Sequence, residues 1–417
     1  MQARELKICE ILTVGTELLL GEILNTNARF LCKELAAMGI GVQRVLTVGD
    51  NPARLREDFL QALGRSDIVL CSGGLGPTPD DLTKEVVCEA LGLPLAEDAA
   101  QRQAIKAFFA RHGAPCSNNN FKQALVPQGC TVLYNENGTA PGCCLRTDEG
   151  KIVALLPGPP RELQPMFIGA LRPLLRGKSS GAIVSHHLRT YGIGESRLAA
   201  LAAPWLACQN PTVAPYAKDG EAYLRITAAA PTNEAAEALC APVLAELQNL
   251  LKAFVYSVDK NLSASVLHLL KSQAKTISFA ESCTGGAVAK SLTDLPGASE
   301  VFGYGFVCYA NEAKQRLLGV APTTLATHGA VSAECAEAMA HGARAQSGAD
   351  LAVSVTGVAG PSAQGTNKPA GLVYLAATNG NQTLHRQLNT GRDDRDYNRT
   401  VATKAALHLA WQLLTIS

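Results

Sequence analysis

Ser282 occupies a position that suits a nucleophile. It follows the apolar run Thr276–Ala280, which favours a buried strand, and it precedes Gly285-Gly286 and a helical pattern. A strand-to-helix turn of this kind exposes a side chain at the sheet edge and aims backbone N–H groups and the positive helix end at a bound group. The alternative is that Ser282 or Thr284 only caps the helix, which is the commoner role of these residue types.

A serine nucleophile needs a base, and Lys314 is the candidate in this chain. No Ser-x-x-Lys or Gly-x-Ser-x-Gly pattern surrounds Ser282, so a base has to come from another element. Lys314 lies five residues after Tyr309, at the start of the next predicted helix. An amine with a pKa of about 10.4 is almost fully protonated at pH 7, whereas burial would lower that pKa. An ordinary exposed helix lysine is the alternative.

Other residues nearby could assist or compete. Cys283 is a rival nucleophile, because a thiol at a helix N-terminus has a lowered pKa, although a buried and unreactive cysteine is commoner. The loop Thr356–Pro369 offers open backbone and one cation, as a cradle for an anion would, and an ordinary flexible loop fits the same composition. Arg392, Arg395 and Arg399 stand at a helix start, where the dipole and the guanidinium groups favour a phosphate.

Two glycine-containing segments follow predicted strands in the first part of the chain. Val14–Gly21 comes after the first strand, and Ser72–Asp81 comes after the third. Neither segment contains a Walker pattern or a GxGxxG pattern. In the second segment three glycines would let backbone N–H groups approach an anion: Gly73, Gly74 and Gly76.

Carboxylates accompany these glycine-containing segments. Asp80, Asp81 and Glu85 lie in or just after the second segment, and Glu17 lies in the first. Carboxylates that face a diphosphate favour a hard cation such as Mg²⁺, so these four residues are the candidate metal ligands. The alternative is that Asp80 or Asp81 caps the following helix.

The alternation of strand-like and helical patterns predicts the fold class. Apolar runs at residues 8–14 and 42–48 alternate with helical patterns, and the alternation resumes from Asn261. This pattern predicts two α/β domains with parallel sheets covered on both faces, joined by a small α+β domain. Ligands of such sheets bind at the carboxyl ends of the strands. The expected domains are residues 1–175, 176–257 and 258–417.

The middle segment offers weaker functional signals. The polar stretch 176–181 is typical of a linker. Gly192–Glu195 resembles the GxxG loop that clamps nucleic-acid backbones, but it lacks the final glycine. Without that glycine and without a basic patch, we expect a spacer rather than an RNA-binding domain.

The composition limits the possible functions. A chain of 417 residues, 47% of them hydrophobic, can bury a core in each of about three domains. A net charge of +1 provides no field for nucleic acid or acidic membranes, and no uncharged apolar run reaches the roughly 18 residues of a membrane span. The chain has thirteen cysteines without a CxxC pair and no signal-peptide pattern, so a cytoplasmic protein with reduced cysteines is expected.

Motifs in the C-terminal part together carry a family resemblance. They are Ala280–Gly286, Tyr309–Lys314, His328–Ser332 and Thr356–Pro361, followed by Lys368–Gly371. In this order they resemble the C-terminal domain of the CinA family over residues 260–417. The resemblance implies a nicotinamide mononucleotide amidohydrolase that releases ammonia and nicotinate mononucleotide and needs no cofactor.

The same resemblance implies roles for individual residues. Ser282 falls on the nucleophile, Lys314 on the lysine base and Tyr309 on an assisting tyrosine. The functional arginine falls within Gly391–Arg395, where this chain differs in spacing, so Arg395 is expected and Arg399 is the alternative. The residues expected to bind substrate here are Thr284, Gly285, Gly286, Thr356, Gly357, Gly360, Lys368 and Arg399.

The N-terminal part resembles the molybdopterin-binding-like half of the same family. The pattern comprises Asn25-Thr-Asn27, Gly49-Asp50, Asn137–Gly142 and Leu156–Glu162 beside the glycine-rich loop. It implies an ADP-ribose pyrophosphatase that depends on a divalent metal such as Mg²⁺. The alternatives are a non-catalytic pterin or nucleotide binder for this half, or a competence-linked scaffold for the whole protein. The expected partners are nicotinamide mononucleotide, ADP-ribose and a second copy of the chain, with neither nucleic acid nor membrane. The substrate contacts expected in this half are Asn25, Asn27, Gly73, Gly74 and Gly76.

Overall fold

The computed structural model describes residues 8–176, 182–218, 220–361 and 367–416. Five of the six residues of the predicted linker, 177–181, lie outside these described residues. Contacts divide the described chain into two compact units, the first up to Val184 with Ala228–Ala238 and the second comprising the remainder. Most of the predicted middle segment therefore groups with the C-terminal part. The domain limits at residues 175 and 257 remain predictions.

The N-terminal part alternates strands and helices as the sequence predicts. Its strands are β1 (Ile8–Val14), β2 (Gly41–Val48), β3 (Ile68–Ser72), β4 (Leu95–Glu97), β5 (Leu125–Pro127), β6 (Thr131–Leu133), β7 (Gly142–Arg146) and β8 (Ile152–Leu156). Its helices are α1 (Thr16–Leu19), α2 (Thr26–Ala36), α3 (Pro52–Arg65), α4 (Thr83–Leu91), α5 (Ala99–Arg111), α6 (Pro160–Met166) and α7 (Arg172–Arg176), with a 3₁₀ helix at Asn118–Ala124 and a π-helical turn at Phe167–Leu171.

The main sheet of this part is mixed rather than fully parallel. Its strand order is β2-β1-β3-β8-β7-β6, in which the first four strands are parallel and the last two pair antiparallel. The reason is the short connection between β7 and β8, which leaves no room for the crossover helix that a parallel pair needs. Buried apolar clusters cover both faces, so the expected layered packing is present.

The middle segment forms a four-stranded sheet with helices. Its elements are β9 (Ala182–Thr190), α8 (Glu195–Leu201), α9 (Ala203–Leu206), β10 (Thr212–Lys218), β11 (Glu221–Ala230), α10 (Asn233–Leu250) and β12 (Val255–Val258). The strand order is β10-β11-β9-β12, and the β10–β11 and β9–β12 pairs are antiparallel. This agrees with the predicted α+β class.

The C-terminal part is a second α/β layer structure. Its elements are α11 (Leu262–Ser272), β13 (Ile277–Glu281), α12 (Ala287–Thr293), β14 (Gly305–Val307), α13 (Asn311–Leu318), α14 (Pro322–His328), α15 (Ala333–Ser347), β15 (Leu351–Gly357), β16 (Leu372–Thr378), β17 (Thr383–Asn389) and α16 (Arg395–Ile416), with a 3₁₀ turn at Ala298–Glu300. Sheet order is β14-β13-β15-β16-β17. β13 is parallel to both its neighbours, whereas β16 and β17 run antiparallel.

Helix α16 packs on this sheet through a face that combines alanines with leucines. Ala402, Ala405, Ala406 and Ala410 are all essentially buried in the core that also contains β13, β15 and β16 side chains. Small side chains at these positions let a helix lie near the strands. No helix in the described part of the chain combines the length and apolarity that crossing a membrane requires.

Candidate active sites

Ser282 lies directly after β13, an inner strand of the sheet whose residues are all buried. Its backbone N–H donates to the carbonyl of Val355 at 2.9 Å, and its side chain is 8% exposed. The N-cap of α12 is Gly286, in a left-handed conformation with no side-chain cap. The alternative that Ser282 or Thr284 caps this helix is therefore wrong.

Lys314 meets Ser282 from the neighbouring helix. Lys314 and Leu318, one turn apart, are the buried residues of α13, so this face carries the lysine stem into the core. The ammonium donates to Ser282 Oγ at 3.1 Å and to the carbonyls of Cys308 and Tyr309 at 2.9 and 3.1 Å. Its side chain is 1% exposed, so the alternative of an ordinary exposed helix lysine is wrong.

Burial changes the acid–base behaviour of the Lys314 amine. Desolvation disfavours its charged form and lowers its pKa from the ordinary value. The oxygens that accept its hydrogen bonds belong to carbonyl and hydroxyl groups, which carry no full negative charge. Within the described residues, no carboxylate forms an ion pair with Lys314. The environment therefore favours a neutral amine more than an exposed lysine's environment does.

Cys283 is an unsuitable nucleophile in this structure. Its side chain is buried, and that burial raises the pKa of the thiol to about 12. The helix N-terminus was expected to lower the pKa, but desolvation is the larger effect here. At pH 7 a thiol with this pKa is almost entirely protonated.

Glu281, the last residue of β13, is a site residue that was not predicted. Its buried carboxylate accepts hydrogen bonds from the backbone N–H groups of Gly286, Val288 and Ala289 at 2.9, 3.1 and 2.8 Å. The expectation that this helix start is open to a bound anion is wrong, because a carboxylate of the protein already occupies it. An acidic residue just before a helix start is the signal that could have revealed this cap.

Tyr309 and Arg395 form a hydrogen-bonded pair beside Lys314. Arg395, the first residue of α16, donates to the Tyr309 hydroxyl at 3.1 Å and to the Gly360 carbonyl at 3.0 Å. The bond to Tyr309 raises the pKa of Arg395. Tyr309 is 60% exposed, so the pair lies at the mouth of the site.

Arg399 and Arg392 are placed differently from Arg395. Arg399 Nη2 donates to the carbonyl of Thr284 at 2.8 Å, which supports the backbone of the turn after Ser282. The Arg392 guanidinium lies 4.1 Å from the ring centroid of Tyr397. Only Arg395, of the three, contacts the tyrosine of the candidate site.

The loop after β15 is fixed by polar contacts at its described ends. The Thr356 hydroxyl donates to the Ala330 carbonyl at 2.6 Å, and a side chain at Gly357 would approach Val373 Cα to 2.8 Å. Lys368 donates to the carbonyls of His328, at 3.4 Å, and Val331. Residues 362–366 of the predicted cradle lie outside the described residues.

Asn398 was not among the predicted site residues either. It is buried, and its amide donates to the carbonyls of Ala359 and Arg392, both at 2.8 Å. Because Ala359 precedes Gly360, these bonds fix the segment that Arg395 contacts. Apart from its place in the sequence between Arg395 and Arg399, nothing in a single sequence indicates that Asn398 is buried and fixes this segment.

The glycine-rich loop of the N-terminal part lines a cavity of 400 Å³. The loop approaches other groups too closely for larger residues: a Cβ on Gly73 would overlap the Val14 carbonyl, and one on Gly74 would overlap the Thr83 hydroxyl. Gly76 also lines the cavity. These glycines let the loop fold tightly at the carboxyl ends of β1 and β3.

Five carboxylates line this cavity: Glu17, Asp50, Asp80, Asp81 and Glu162. No lysine or arginine of the described chain lines it. Glu85 does not line it but lies 3.5 Å from the ammonium of Lys122. Asp81 accepts from the backbone N–H of Thr78 at 3.0 Å and from its hydroxyl. Leu82 is the N-cap of α4 and no side chain caps it, so the capping alternative for Asp80 and Asp81 is wrong.

The donor set of this cavity fits Mg²⁺ only together with a ligand. Among the described residues, no three His, Cys, Asp or Glu side chains are grouped so that they could hold a metal ion. Mg²⁺ is usually held by one or two carboxylates together with substrate phosphates, so a complete protein cage is unnecessary. Glu17 and Asp80 are exposed carboxylates of this lining. A hydrogen bond from the Thr78 side chain lowers the pKa of the Asp80 carboxyl, which favours its charged form.

Asn25 and Asn27 make side-chain hydrogen bonds at the start of α2. The Asn25 side chain caps this helix by accepting from Ala28 N–H at 3.0 Å. The Asn27 amide donates to Ser72 Oγ at 3.0 Å and to the Gly158 carbonyl at 2.6 Å. Both asparagines line a second cavity of 260 Å³, which also contains Glu17.

Glu162, in the first turn of α6, was not a predicted site residue. It is 8% exposed, and Asn135 Nδ2 donates to its Oε2 at 2.8 Å. Burial raises the pKa of this carboxyl, and desolvation outweighs the bond from Asn135. Its burial depends on a loop about 25 residues earlier in the chain, which sequence spacing does not reveal.

Comparisons with known proteins cover most of the chain. Three family models match in order: "Probable molybdopterin binding domain" at residues 10–177, "Damage-inducible protein CinA KH domain" at 185–257 and "CinA C-terminal domain" at 259–414. The KH match corresponds to the segment whose Gly192–Glu195 lacks the last glycine of a GxxG loop. Whether that segment is only a spacer stays a prediction.

Two of the similar proteins align with most of the chain. A CinA-like protein of Desulfovibrio desulfuricans is 46% identical over 403 residues, covering 96% of this chain and 94% of its own. A Symbiobacterium thermophilum protein named as a competence-damage inducible protein is 50% identical over 374 residues, which cover 88% of each chain. The structure of the competence/damage inducible protein CihA from Agrobacterium tumefaciens is 41% identical over 37% of this chain and 93% of its own, with a TM-score of 0.36. The chain belongs to the CinA family.

Proposed function

We propose that the C-terminal part hydrolyses the amide of nicotinamide mononucleotide to nicotinate mononucleotide and ammonia. The 3.1 Å contact between Ser282 Oγ and the buried Lys314 amine carries this proposal. A serine hydroxyl is a weak nucleophile, and a neutral amine within hydrogen-bond distance is the base that it needs. The buried surroundings of Lys314 lower its pKa and so favour that neutral form.

The reaction divides into two acyl-transfer steps. Ser282 Oγ attacks the carbonyl carbon of the amide while its proton passes to Lys314 Nζ. The tetrahedral intermediate collapses, the C–N bond breaks, and Lys314 returns the proton to the leaving nitrogen, which departs as ammonia. Water then attacks the acyl ester with Lys314 as base again, the ester C–O bond breaks, and Ser282 regains its proton.

Arg395 and Tyr309 are suited to hold the substrate. The guanidinium group of Arg395 stands at the mouth of the site with the Tyr309 hydroxyl as its partner. A guanidinium group binds phosphate through charge-assisted hydrogen bonds, so this pair would hold the phosphate or ribose end of the nucleotide. Arg399 supports the turn from the Thr284 carbonyl, and we therefore assign the substrate contact to Arg395.

We propose further that the N-terminal part hydrolyses the diphosphate of ADP-ribose with Mg²⁺. The observation in favour is a cavity with five carboxylates and no lining cation, because a diphosphate can enter it only with its charge neutralised. Glu17 and Asp80 are the groups that would hold the ion together with the phosphates. The ion would supply charge neutralisation and polarise the phosphoryl oxygens.

A non-catalytic nucleotide or pterin binder is the second candidate for this part. Asp81 is engaged by Thr78, and Asp50 accepts from the Thr16 N–H and hydroxyl at 2.9 and 2.7 Å. Because Asp50 and Asp81 are engaged in these bonds, fewer carboxylates remain to bind a metal ion or to activate water. The distinguishing experiment incubates the purified full chain with nicotinamide mononucleotide and, separately, with ADP-ribose and Mg²⁺. Ammonia in the first reaction, and AMP with ribose 5-phosphate in the second, are the expected products; unchanged ADP-ribose bound to the protein would favour the binder.

A further inference from the structure

Glu162 differs from the other carboxylates of the N-terminal cavity by its burial. Glu17, Asp50 and Asp80 are exposed, and Asp81 is half-buried, whereas Glu162 is 8% exposed. It stands in the first turn of α6, which directly follows the strand end and the loop at residues 157–159. Its carboxyl therefore borders the cavity from a protected position.

The surroundings of Glu162 fix one carboxylate oxygen and leave the other available. Oε2 accepts from Asn135 Nδ2 at 2.8 Å, and the same Asn135 amide donates to the Ala140 carbonyl at 2.9 Å. The backbone at Gly138 lies against the carboxyl so closely that a Cβ there would overlap it. Oε1 has no hydrogen bond from a described residue, since Arg161 Nε lies 4.0 Å away. One oxygen is held in place while the other can receive a proton.

The electrostatic setting suits proton transfer. The charged groups around Glu162 are Arg161, the other four carboxylates of the cavity, and Glu136, which lines a neighbouring cavity together with Glu162. Desolvation disfavours the charged form of Glu162 and raises its pKa, against the smaller opposite effects of Asn135 and Arg161. A carboxylate with a raised pKa is a stronger base than an exposed one, which is the property that water activation needs.

We propose that Glu162 is the general base of diphosphate hydrolysis in the N-terminal cavity, an inference that rests on the proposed ADP-ribose hydrolysis. Glu162 Oε1 takes one proton from a water molecule as the water oxygen forms a bond to phosphorus. The bond from that phosphorus to the bridging oxygen breaks, and the bridging oxygen leaves with the electron pair on the second phosphate. The products are AMP and ribose 5-phosphate, and the proton leaves Glu162 to solvent.

The test compares Glu162→Gln with the full-length wild type in the presence of ADP-ribose and Mg²⁺. Glutamine keeps an oxygen that accepts from Asn135, so the fold should remain, which circular dichroism checks. We expect kcat to fall by about 100- to 10,000-fold with KM within about twofold. Wild-type kcat should fall at low pH as Glu162 gains its proton, and this acidic limb should be absent from the residual activity of Glu162→Gln. Glu149→Gln, whose side chain is 73% exposed, is the matched control and should match the wild type.

A second variant tests the base without removing it. Asn135→Ala removes the donor that lowers the pKa of Glu162, so the acidic limb should move to higher pH while the plateau rate is largely kept. A wild-type kcat in Glu162→Gln, or an acidic limb that persists in it, would overturn the assignment of the base. A wild-type protein that releases no AMP with Mg²⁺ would instead refute the proposed hydrolysis itself. The two failures are therefore distinguishable.

Discussion

The Ser282 site and the cavity beside Gly73 differ in the sign and the burial of their charged groups. At Ser282 the central ionisable group is one lysine, almost completely buried among carbonyl and hydroxyl oxygens. Around the N-terminal cavity stand five carboxylates, most of them exposed, with no lining cation. The first arrangement contains both partners of a proton transfer, whereas the second needs a positive ion before an anionic substrate can enter. Experiments that remove single groups should therefore affect the two activities independently.

Ser282→Ala should cause the largest loss. Without the nucleophile, ammonia release from nicotinamide mononucleotide should fall at least about 1,000-fold, while ADP-ribose hydrolysis is unchanged. Steady-state ammonia production checks this result. Cys283→Ala is the matched control and should change kcat by less than about twofold, because the pKa of that thiol is about 12. The reverse pattern, with Cys283 essential and Ser282 dispensable, would remove Ser282 from the mechanism.

Lys314→Arg should reduce kcat for ammonia release about 100- to 10,000-fold. Arginine keeps the positive charge but stays protonated, so it cannot act as a base. In the wild type, the rate should rise with pH as Lys314 loses its proton, up to a pKa that burial places below the ordinary 10.5. Lys314→Arg should lack this limb. The measurement is kcat against pH for the variant and for Lys290→Arg, a control at a side chain that is 73% exposed.

A role of Lys314 in substrate binding alone would give a different result. Arginine would then hold the nucleotide almost as well, and the change would appear mainly in KM as lost uniform binding. A kcat close to that of the wild type would exclude Lys314 as the base and make Tyr309 the next candidate.

Asp80→Asn should affect only ADP-ribose hydrolysis. The Mg²⁺ concentration that gives half-maximal ADP-ribose hydrolysis should rise about 10- to 100-fold, because an exposed carboxylate of the cavity has lost its charge. EDTA should stop ADP-ribose hydrolysis and leave ammonia release unchanged. The assay is AMP production against Mg²⁺ concentration, with Glu97→Asn as a control outside the cavity. Equal loss of both activities in EDTA would contradict the comparison of an ion-dependent and an ion-independent site.

The strand–helix alternation of both α/β parts could be predicted because periodicity is a local property. Strand β17 was not predicted, since its polar residues alternate along a sheet edge that is largely exposed. Strands β6 and β7 were not predicted either, and the antiparallel β16 was not distinguished from a parallel strand, because an apolar run carries no direction. Local patterns therefore fix the class of the sheets but not the direction of every strand.

The candidate sites show the same limit at the level of side chains. Ser282 could be recognised from its turn, but its contact with Lys314 joins elements 32 residues apart and depends on tertiary packing. Arg395 and Arg399 lie one turn apart on α16, about 6 Å along its axis, and only the fold assigns one to Tyr309 and the other to the Thr284 carbonyl. The burial that distinguishes Glu162 likewise depends on residues remote from it.

Glu281→Gln should give the smallest effect, mainly on stability. An amide keeps one acceptor oxygen, but its NH₂ group would face N–H groups of Gly286, Val288 or Ala289 that now donate to the carboxylate. It also removes a negative charge from a helix start, where such a charge is favourable. We expect the free energy of unfolding of the C-terminal part to fall by about 1–3 kcal/mol, measured by urea unfolding with circular dichroism.

The control for Glu281→Gln is Glu312→Gln, at a side chain that is 82% exposed, where a change within about 0.5 kcal/mol is expected. Since Glu281 holds the turn that carries Ser282, kcat for ammonia release should also decrease in Glu281→Gln. The pH limb of Lys314 should remain, because Lys314 keeps its three oxygen partners. A displaced limb would mean that Glu281 acts on the base itself, whereas an unchanged free energy of unfolding would mean that the turn holds its shape without the carboxylate. In either case ADP-ribose hydrolysis should be unaffected, since Glu281 belongs to the site that needs no cation.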